Sequence, residues 1–169
     1  MTLRLCSLLC IFLLQACGTV AFTPTAYPLR DGLIPSFPVV GTTTIQNNQP
    51  STAQAIVYSH SGTTLVSNLN VITAMMVQQA SDELHKNGKI SGGTQGKSIA
   101  LKVNSLLSDA AFYHFNSKIQ FEAALGNGIV ISKEVTHSSM DIRQDLNGCI
   151  AEGVMKLFND PQLLAYLAK

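Results

Sequence analysis

The chain has 169 residues, of which 46% are hydrophobic and only 12% charged, with no tryptophan. This length is sufficient for one domain with its own core. The formal net charge is +1, and setting Arg4 aside with the N-terminal leader leaves ten basic and ten acidic residues. A neutral chain of this kind excludes a protein that binds nucleic acid through a basic surface.

Residues 1–16 are predicted to form a lipoprotein signal peptide. Arg4 supplies a basic start, an apolar run extends from Leu5 to Leu14, and the small residue Ala16 follows. These are the marks of a secretory signal. The run has ten residues, whereas a membrane-spanning helix needs about 20, so a permanent transmembrane helix is disfavoured.

The end of this leader, LQAC at residues 14–17, resembles the lipobox of bacterial lipoproteins. The resemblance implies that Cys17 is the lipid attachment residue and the first residue of the mature chain. Gly18, which is not aspartate, then implies sorting to the outer membrane with the domain facing the periplasm. The alternative is an ordinary signal peptide cleaved elsewhere, for instance after Ala21, with Cys17 discarded.

The four cysteines agree with an anchor. Cys6 and Cys10 lie in the leader, and lipidation would occupy Cys17, so only Cys149 remains and no intramolecular disulfide is possible. Cys149 falls on the apolar side of a predicted helix. We expect it to be a buried small hydrophobic residue rather than a nucleophile.

Residues 17–50 are predicted to be a lipidated N-terminus followed by an extended tether, because five of the six prolines lie there together with many threonines. Two short stretches, Phe37–Ile45 and Ala53–Ser59, have the β-branched composition of strands. Residues 51–169 are predicted to form the periplasmic α+β domain.

Within that domain the hydrophobic spacing predicts two amphipathic helices and three strands. Periods of three and four residues indicate helices at 67–87 and 141–158, and alternation indicates strands at 98–104, 115–125 and 129–136. A short helix follows at the C-terminus. With at least one earlier strand, we expect an antiparallel sheet of about four strands with two amphipathic helices packed on one face.

From about Leu65 onward this order of elements resembles the YajG family of small outer-membrane lipoproteins. The similar stretches are LNVITAMMVQQASDELHKNG, SIALKVNSLLSDA, the long hairpin and the ending FNDPQLLAYLAK. The order is also similar to that of periplasmic auxiliary lipoproteins of envelope transport systems. Both resemblances imply a non-catalytic envelope protein and supply no catalytic residues.

Three patterns could carry chemistry, and none is convincing. SGGTQGKS at Ser91–Ser98 lies between a predicted helix and a following strand, the reverse of a phosphate-binding loop, so we expect a flexible connection and no cofactor. No two of the four histidines have metal-binding helical spacing, so we expect no metal site. SHSG at Ser59–Gly62 is not a Gly-x-Ser-x-Gly elbow, so we expect no catalytic residues.

The sequence therefore predicts a non-enzymatic, membrane-anchored lipoprotein that serves as a binding or accessory subunit of an envelope assembly or transport complex. It identifies neither the protein partner nor the oligomeric state. The alternative is a periplasmic domain that holds a lipid or another hydrophobic small molecule beneath Met75 and Met76. A small hydrolase that uses His60 and Ser61 is a third and weaker interpretation.

Overall fold

The computed structural model of the protein describes residues 18–169. Seven strands and three helices follow one another in this part of the chain. In order they are β1 (Gly18–Ala21), β2 (Phe37–Asn47), β3 (Gln54–His60), β4 (Thr63–Asn68), α1 (Leu69–Asn87), β5 (Gly88–Ala110), β6 (Phe115–Leu125), β7 (Val130–Ser139), α2 (Ile142–Phe158) and α3 (Pro161–Leu167).

The described strands form one mixed sheet. Six of them lie side by side in the order β1, β4, β3, β5, β6, β7, and β2 pairs with the first part of β5. β1 is parallel to β4, and both β2 and β3 are parallel to β5. The β3–β4, β5–β6 and β6–β7 neighbours are antiparallel.

The predicted antiparallel sheet of about four strands with two helices packed on one face is therefore wrong, because residues 18–169 form a mixed, seven-stranded sheet and three helices, the third being the short C-terminal helix. The additional strands come partly from residues 18–50, expected to be a tether. This segment contributes β1, which was not predicted, and β2, which confirms the strand predicted at Phe37–Ile45, and it buries Phe22, Ile34 and Phe37. β2 pairs only with β5, and an edge strand tolerates Pro38 because one side of its backbone needs no donor.

The segment Ser91–Ser98, expected to be a flexible connection, is instead part of β5. Its backbone pairs with β2 over a register that runs from Phe37 opposite Gly88 to Asn47 opposite Leu101, with an irregularity after Val40. Gly41 occupies this irregularity with φ +78°, and a side chain there would overlap the backbone carbonyl of Gln95. Only glycine satisfies both conditions without strain.

The helices begin at residues that satisfy their free amides. The side chain of Asn68 accepts a hydrogen bond from the Val71 amide at the start of α1, and that of Asp141 accepts one from the Gln144 amide at the start of α2. Gly88 ends α1 in an extended conformation, with a φ of −74°. The chain therefore leaves α1 directly into β5.

One hydrophobic core lies between the helices and the sheet. α1 and α2 contact each other and both contact β5, so they cover the same face. Gly153 of α2 lets the layers approach closely, because a Cβ there would lie 3.2 Å from both the Met76 Cε and the Phe121 Cε1 atoms. At one side of the core the rings of Phe37 and Phe158 stack with centroids 5.4 Å apart.

Candidate functional site

A row of polar side chains replaces apolar ones where three strands approach one end of the sheet. Ser108 of β5 lies opposite Ser117 of β6, which in turn lies opposite His137 of β7. The two serines are buried and His137 is largely buried. The first turn of α2 brings Asp145 against this row, so four elements meet at one carboxylate.

Asp145 is fully buried, and its carboxylate oxygens accept three hydrogen bonds. The Ser108 and Ser117 hydroxyls donate to Oδ2 at 3.0 and 2.5 Å, and His137 Nδ1 lies 3.1 Å from Oδ1. A carboxylate oxygen accepts a hydrogen bond from a ring N–H. The three polar contacts and the helix N-terminus together offset the desolvation of the buried carboxyl group.

The imidazole of His137 is fixed on its other sides as well. A Cβ added to Gly148 of α2 would overlap the His137 ring, so the absence of a side chain at this position makes room for it. The ring of Tyr27 meets the imidazole edge-on, with centroids 6.0 Å apart and an interplanar angle of 70°. Gly148 and Tyr27 therefore define where the imidazole can lie, while Asp145 defines which nitrogen faces inward.

A surface cavity of about 360 Å³ lies beside this imidazole. Its wall includes His137, Tyr27, Arg30 and Glu152, so groups of both charges border it. Nucleophilic catalysis by a serine would require the hydroxyl to donate to the imidazole, but the two serine hydroxyls of the cluster donate to Asp145. We therefore interpret these four side chains as a polar clamp that joins three strands to α2. We call Ser108, Ser117, His137 and Asp145 the Asp145 clamp.

The predicted lipid attachment residue, Cys17, lies outside the described residues. Its neighbour Gly18 is the first residue of β1. The residues of the hydrolase interpretation, His60 and Ser61, are exposed at the β3–β4 hairpin. Ser61 and Gly62 have φ values of +48° and +80°, which fit the two-residue type I′ turn common in hairpins. Ser61 therefore has a structural role in this turn.

The histidines do not come together. His60, His85 and His114 are exposed, and only His137 joins the clamp. Across residues 18–169, no group of three or more histidine, cysteine, aspartate or glutamate side chains is arranged to hold a metal ion.

Cys149 is fully buried in α2, which confirms the prediction that it packs as a small hydrophobic residue. Burial is the main reason that the pKa of its thiol rises to about 12, and the nearby charge of Asp145 raises it further. The thiolate is the reactive form of cysteine. Cys149 is therefore unsuited to nucleophilic chemistry in the folded protein.

The two methionines proposed to cover a hydrophobic ligand differ in environment. Met76 is completely buried between α1, α2 and the sheet, whereas Met75 is half-buried. The Met76 Cε atom would lie only 3.2 Å from a Cβ added at Gly153, so α1 and α2 pack closely at this point.

The alternation of the strands contains a signal for part of the clamp. Ser117 lies on the same face of β6 as the buried Ile119 and Phe121, and His137 lies on the same face of β7 as Val135. Two inward-facing polar residues on neighbouring strands require a partner, and that requirement could have directed attention to Asp145.

Comparison with known proteins adds little. No family model and no curated protein matches the chain. A solved structure of a neuraminyllactose-binding hemagglutinin homolog from Helicobacter pylori is 12% identical, with a match that covers 83% of this chain and 93% of that chain at a TM-score of 0.29. A TM-score this low does not establish a shared fold, so the similarity carries no functional argument. None of the helices between residues 18 and 169 is long and apolar enough to cross a membrane.

Proposed function

We propose that the protein is a non-enzymatic lipoprotein, attached through Cys17 to the outer membrane of a bacterial envelope with its domain in the periplasm. The observation that carries this proposal is the sequence of residues 1–17, which combines a basic start, a short apolar run and the lipobox-like LQAC. Two or more acyl chains at Cys17 would give stable attachment, whereas a single chain binds reversibly.

The position of the first strand supports a domain held close to the bilayer. Gly18 pairs with Thr63, and its amide donates to the Gly62 carbonyl at 3.2 Å. Because Cys17 immediately precedes Gly18, lipid attached there would be joined to the sheet without an intervening linker. The domain would therefore rest at the membrane surface instead of extending away from it.

A role as a binding or accessory subunit is supported by the surface. The side chains of Ile56 on β3 and Leu107 on β5 are large, apolar and exposed on neighbouring strands near the Tyr58–Ser108 pairing, and neighbouring exposed apolar side chains are suited to contact with another protein. The Asp145 clamp uses its two serine hydroxyls to satisfy a buried carboxylate, which favours a structural role for its histidine over a catalytic one.

Metabolic labelling with radioactive palmitate tests the anchor in cells that express the full chain. We expect the label to enter the wild-type protein and the protein to sediment with membranes, and mass spectrometry to find a mature chain that begins at lipid-modified Cys17. Cys17→Ala should abolish labelling. Cys6→Ala is the matched control, because Cys6 lies earlier in the same leader, and it should leave labelling unchanged.

A mature protein that lacks label, begins after Ala21 and is released from membranes would instead show an ordinary signal peptide. For the accessory role, detergent extraction of the lipidated protein followed by cross-linking should recover a specific envelope protein. Recovery should fall when Leu107 is changed to Ser but should persist when exposed Asn127 is changed to Ser. Equal recovery from all three proteins would contradict a contact through this surface.

A further inference from the structure

The register of the sheet places six strand termini at one end. β1, β4 and β6 begin there, while β3, β5 and β7 end there. Gly18 lies opposite Thr63, and Phe115 lies between Ala110 and Ser139. We call this end of the molecule the Gly18 end. The turn between β6 and β7, which contains Asn127, lies at the opposite end.

Three large apolar side chains project from the Gly18 end. Phe112 and Tyr113 in the β5–β6 turn are 88% and 79% exposed, and Met140 after β7 is 84% exposed. The Ala111 amide donates to the His114 carbonyl at 2.8 Å and closes the turn. The two aromatic rings contact each other edge-to-face with centroids 4.4 Å apart. The apolar tip consists of Phe112, Tyr113 and Met140.

This tip contributes little to the core of the domain. The side chains of Phe112, Tyr113 and Met140 are the most exposed of the large apolar residues in the described chain. Leaving them in water forgoes the free energy that burial of each would supply. Their grouping on one end, closed by a backbone hydrogen bond, therefore indicates a surface that is covered in the functional state.

The distance between the tip and the start of β1 points to the lipid bilayer as the surface that covers the tip. β1 and β5 are separated by β4 and β3, so the start of β1 and the end of β5 are about 15 Å apart at the usual strand spacing. Lipid attached to Cys17, next to Gly18, would bring this end of the sheet to the bilayer. Aromatic residues are favoured at the level of the lipid headgroups, where an apolar ring and a polar hydroxyl are both accommodated.

Electrostatic attraction does not explain such a contact. Asp109 and Asp141, which flank the tip in the chain, are both exposed, and acidic side chains gain nothing from an anionic lipid surface. The contact with lipid would be apolar and would persist at high salt, unlike a contact made by a basic patch.

We propose that Phe112, Tyr113 and Met140 insert into the headgroup region of the bilayer and seat the domain on the membrane by its Gly18 end. This inference rests on the proposed attachment at Cys17. Together, the lipid and the tip would provide two contacts with the membrane, and two contacts restrict the orientation of the domain where the lipid alone would let it rotate.

A fluorescent probe on an introduced cysteine tests this orientation. Ala111→Cys places the probe in the tip turn without removing its apolar residues, and Asn127→Cys places it at the opposite end as the control. Cys149 is fully buried, so it should remain unlabelled. The lipidated full-length product is reconstituted in vesicles of phosphatidylethanolamine and phosphatidylglycerol, with or without nitroxide-bearing lipid. A parallel palmitate measurement reports whether the protein is lipidated.

We expect nitroxide lipid to quench the probe at position 111 strongly and the probe at position 127 weakly, with the same result at low and high salt. Changing Phe112 and Tyr113 to Ser should remove most of the quenching at position 111. Changing Ile129 and Val130 to Ser, exposed apolar residues at the opposite end, should leave it intact.

Incorporation of palmitate without quenching at position 111, or with equal quenching at both positions, would overturn the inference while leaving the anchor in place. A probe at position 111 that is shielded from water but not quenched by lipid would show a protein covering the tip, and it would also overturn the inference. Failure to incorporate palmitate would overturn both proposals, because the orientation depends on the anchor.

Discussion

Removing the carboxylate of Asp145 is expected to destabilise the domain more than any other single change in the clamp. Asp145→Ala leaves two serine hydroxyls and the His137 Nδ1 hydrogen without their acceptor in a buried site. It also creates a small void beneath α2. Each donor that loses its acceptor in a buried site costs about 1–3 kcal/mol, although the hydroxyls can rotate toward other acceptors.

We therefore expect Asp145→Ala to lower the free energy of unfolding by about 3–5 kcal/mol, toward the low end of the sum for three donors that lose their acceptor, because the two hydroxyls can rotate. Ser117→Ala removes only one donor and should cost about 1 kcal/mol, because Ser108 and His137 still hold the carboxylate. Because the total free energy of unfolding of a domain is about 5–15 kcal/mol, Asp145→Ala should leave the domain only marginally stable, whereas Ser117→Ala should leave it clearly folded.

Urea unfolding of the purified protein measures these differences. Far-UV circular dichroism is the suitable signal, because the chain has no tryptophan. Asp109→Ala, which removes an exposed carboxylate from the same strand as Ser108, is the control and should change the stability by less than about 0.5 kcal/mol. A loss below about 1 kcal/mol for Asp145→Ala would refute the clamp, because the carboxylate would then contribute no more than an ordinary hydrogen-bonding group.

Three further predictions concern other parts of the molecule. Gly41→Ala should destabilise the domain by about 1–3 kcal/mol in urea unfolding, whereas Gly92→Ala should be nearly neutral, because no atom lies within 4 Å of a Cβ at that position. Burial raises the pKa of the Asp160 carboxyl, but the Lys133 ammonium at 2.5 Å and two backbone amides outweigh burial and hold the pKa below the ordinary 3.8. The resulting stabilisation is present above the ordinary value and disappears as the pH falls through the lowered pKa. Lys133→Met should therefore make the acid-induced loss of stability shallower, which urea titrations from about pH 5 to about pH 2 would detect, and an unchanged acid profile would contradict the assignment. Finally, Cys149 should resist thiol reagents in the native protein and react at once in urea, since folding raises the pKa of its thiol to about 12; rapid labelling of the native protein would contradict this.

The helices were predictable because their signal is local. The predicted spans 67–87 and 141–158 differ from α1 and α2 by at most two residues at either end, since apolar spacing of three and four residues depends only on the helix itself. Likewise, β6 has the predicted bounds, because an antiparallel hairpin with one buried face alternates strictly.

The parallel pairing of β2 with β5 was not predictable in the same way, although the composition of Phe37–Ile45 did predict a strand. β2 and the first part of β5 are stabilised by pairing with each other across a gap of about 40 residues in the chain, and such pairing leaves no turn signal between the strands. The glycine-rich start of β5 resembles a loop when it is considered alone. Its backbone hydrogen bonds with β2, and not its side chains, make it a strand.

The difference between local signals and long-range pairing also explains which residues of the candidate site could be predicted from the sequence. Ser117 and His137 keep the alternation of β6 and β7 and could have been assigned to the buried face. Ser108 could not, because an irregularity between Val103 and Ser105 shifts the buried positions of β5 from odd to even residue numbers. A bulge of this kind reverses the faces of every later residue in the strand, so the position of Ser108 required the structure.

The Asp145 clamp and the apolar tip belong to the same end of the sheet. Ser108 lies two residues before the end of β5, Ser117 two residues after the start of β6, and His137 two residues before the end of β7. The clamp therefore ties the base of the turn that carries Phe112 and Tyr113 to the first turn of α2. The tip can fix the orientation of the domain on a bilayer only if the turn that carries it is held rigidly against the rest of the domain. The buried hydrogen bonds of the clamp provide this rigidity. Under the proposed orientation, loss of the clamp should weaken lipid quenching at position 111 even though no residue of the clamp touches lipid.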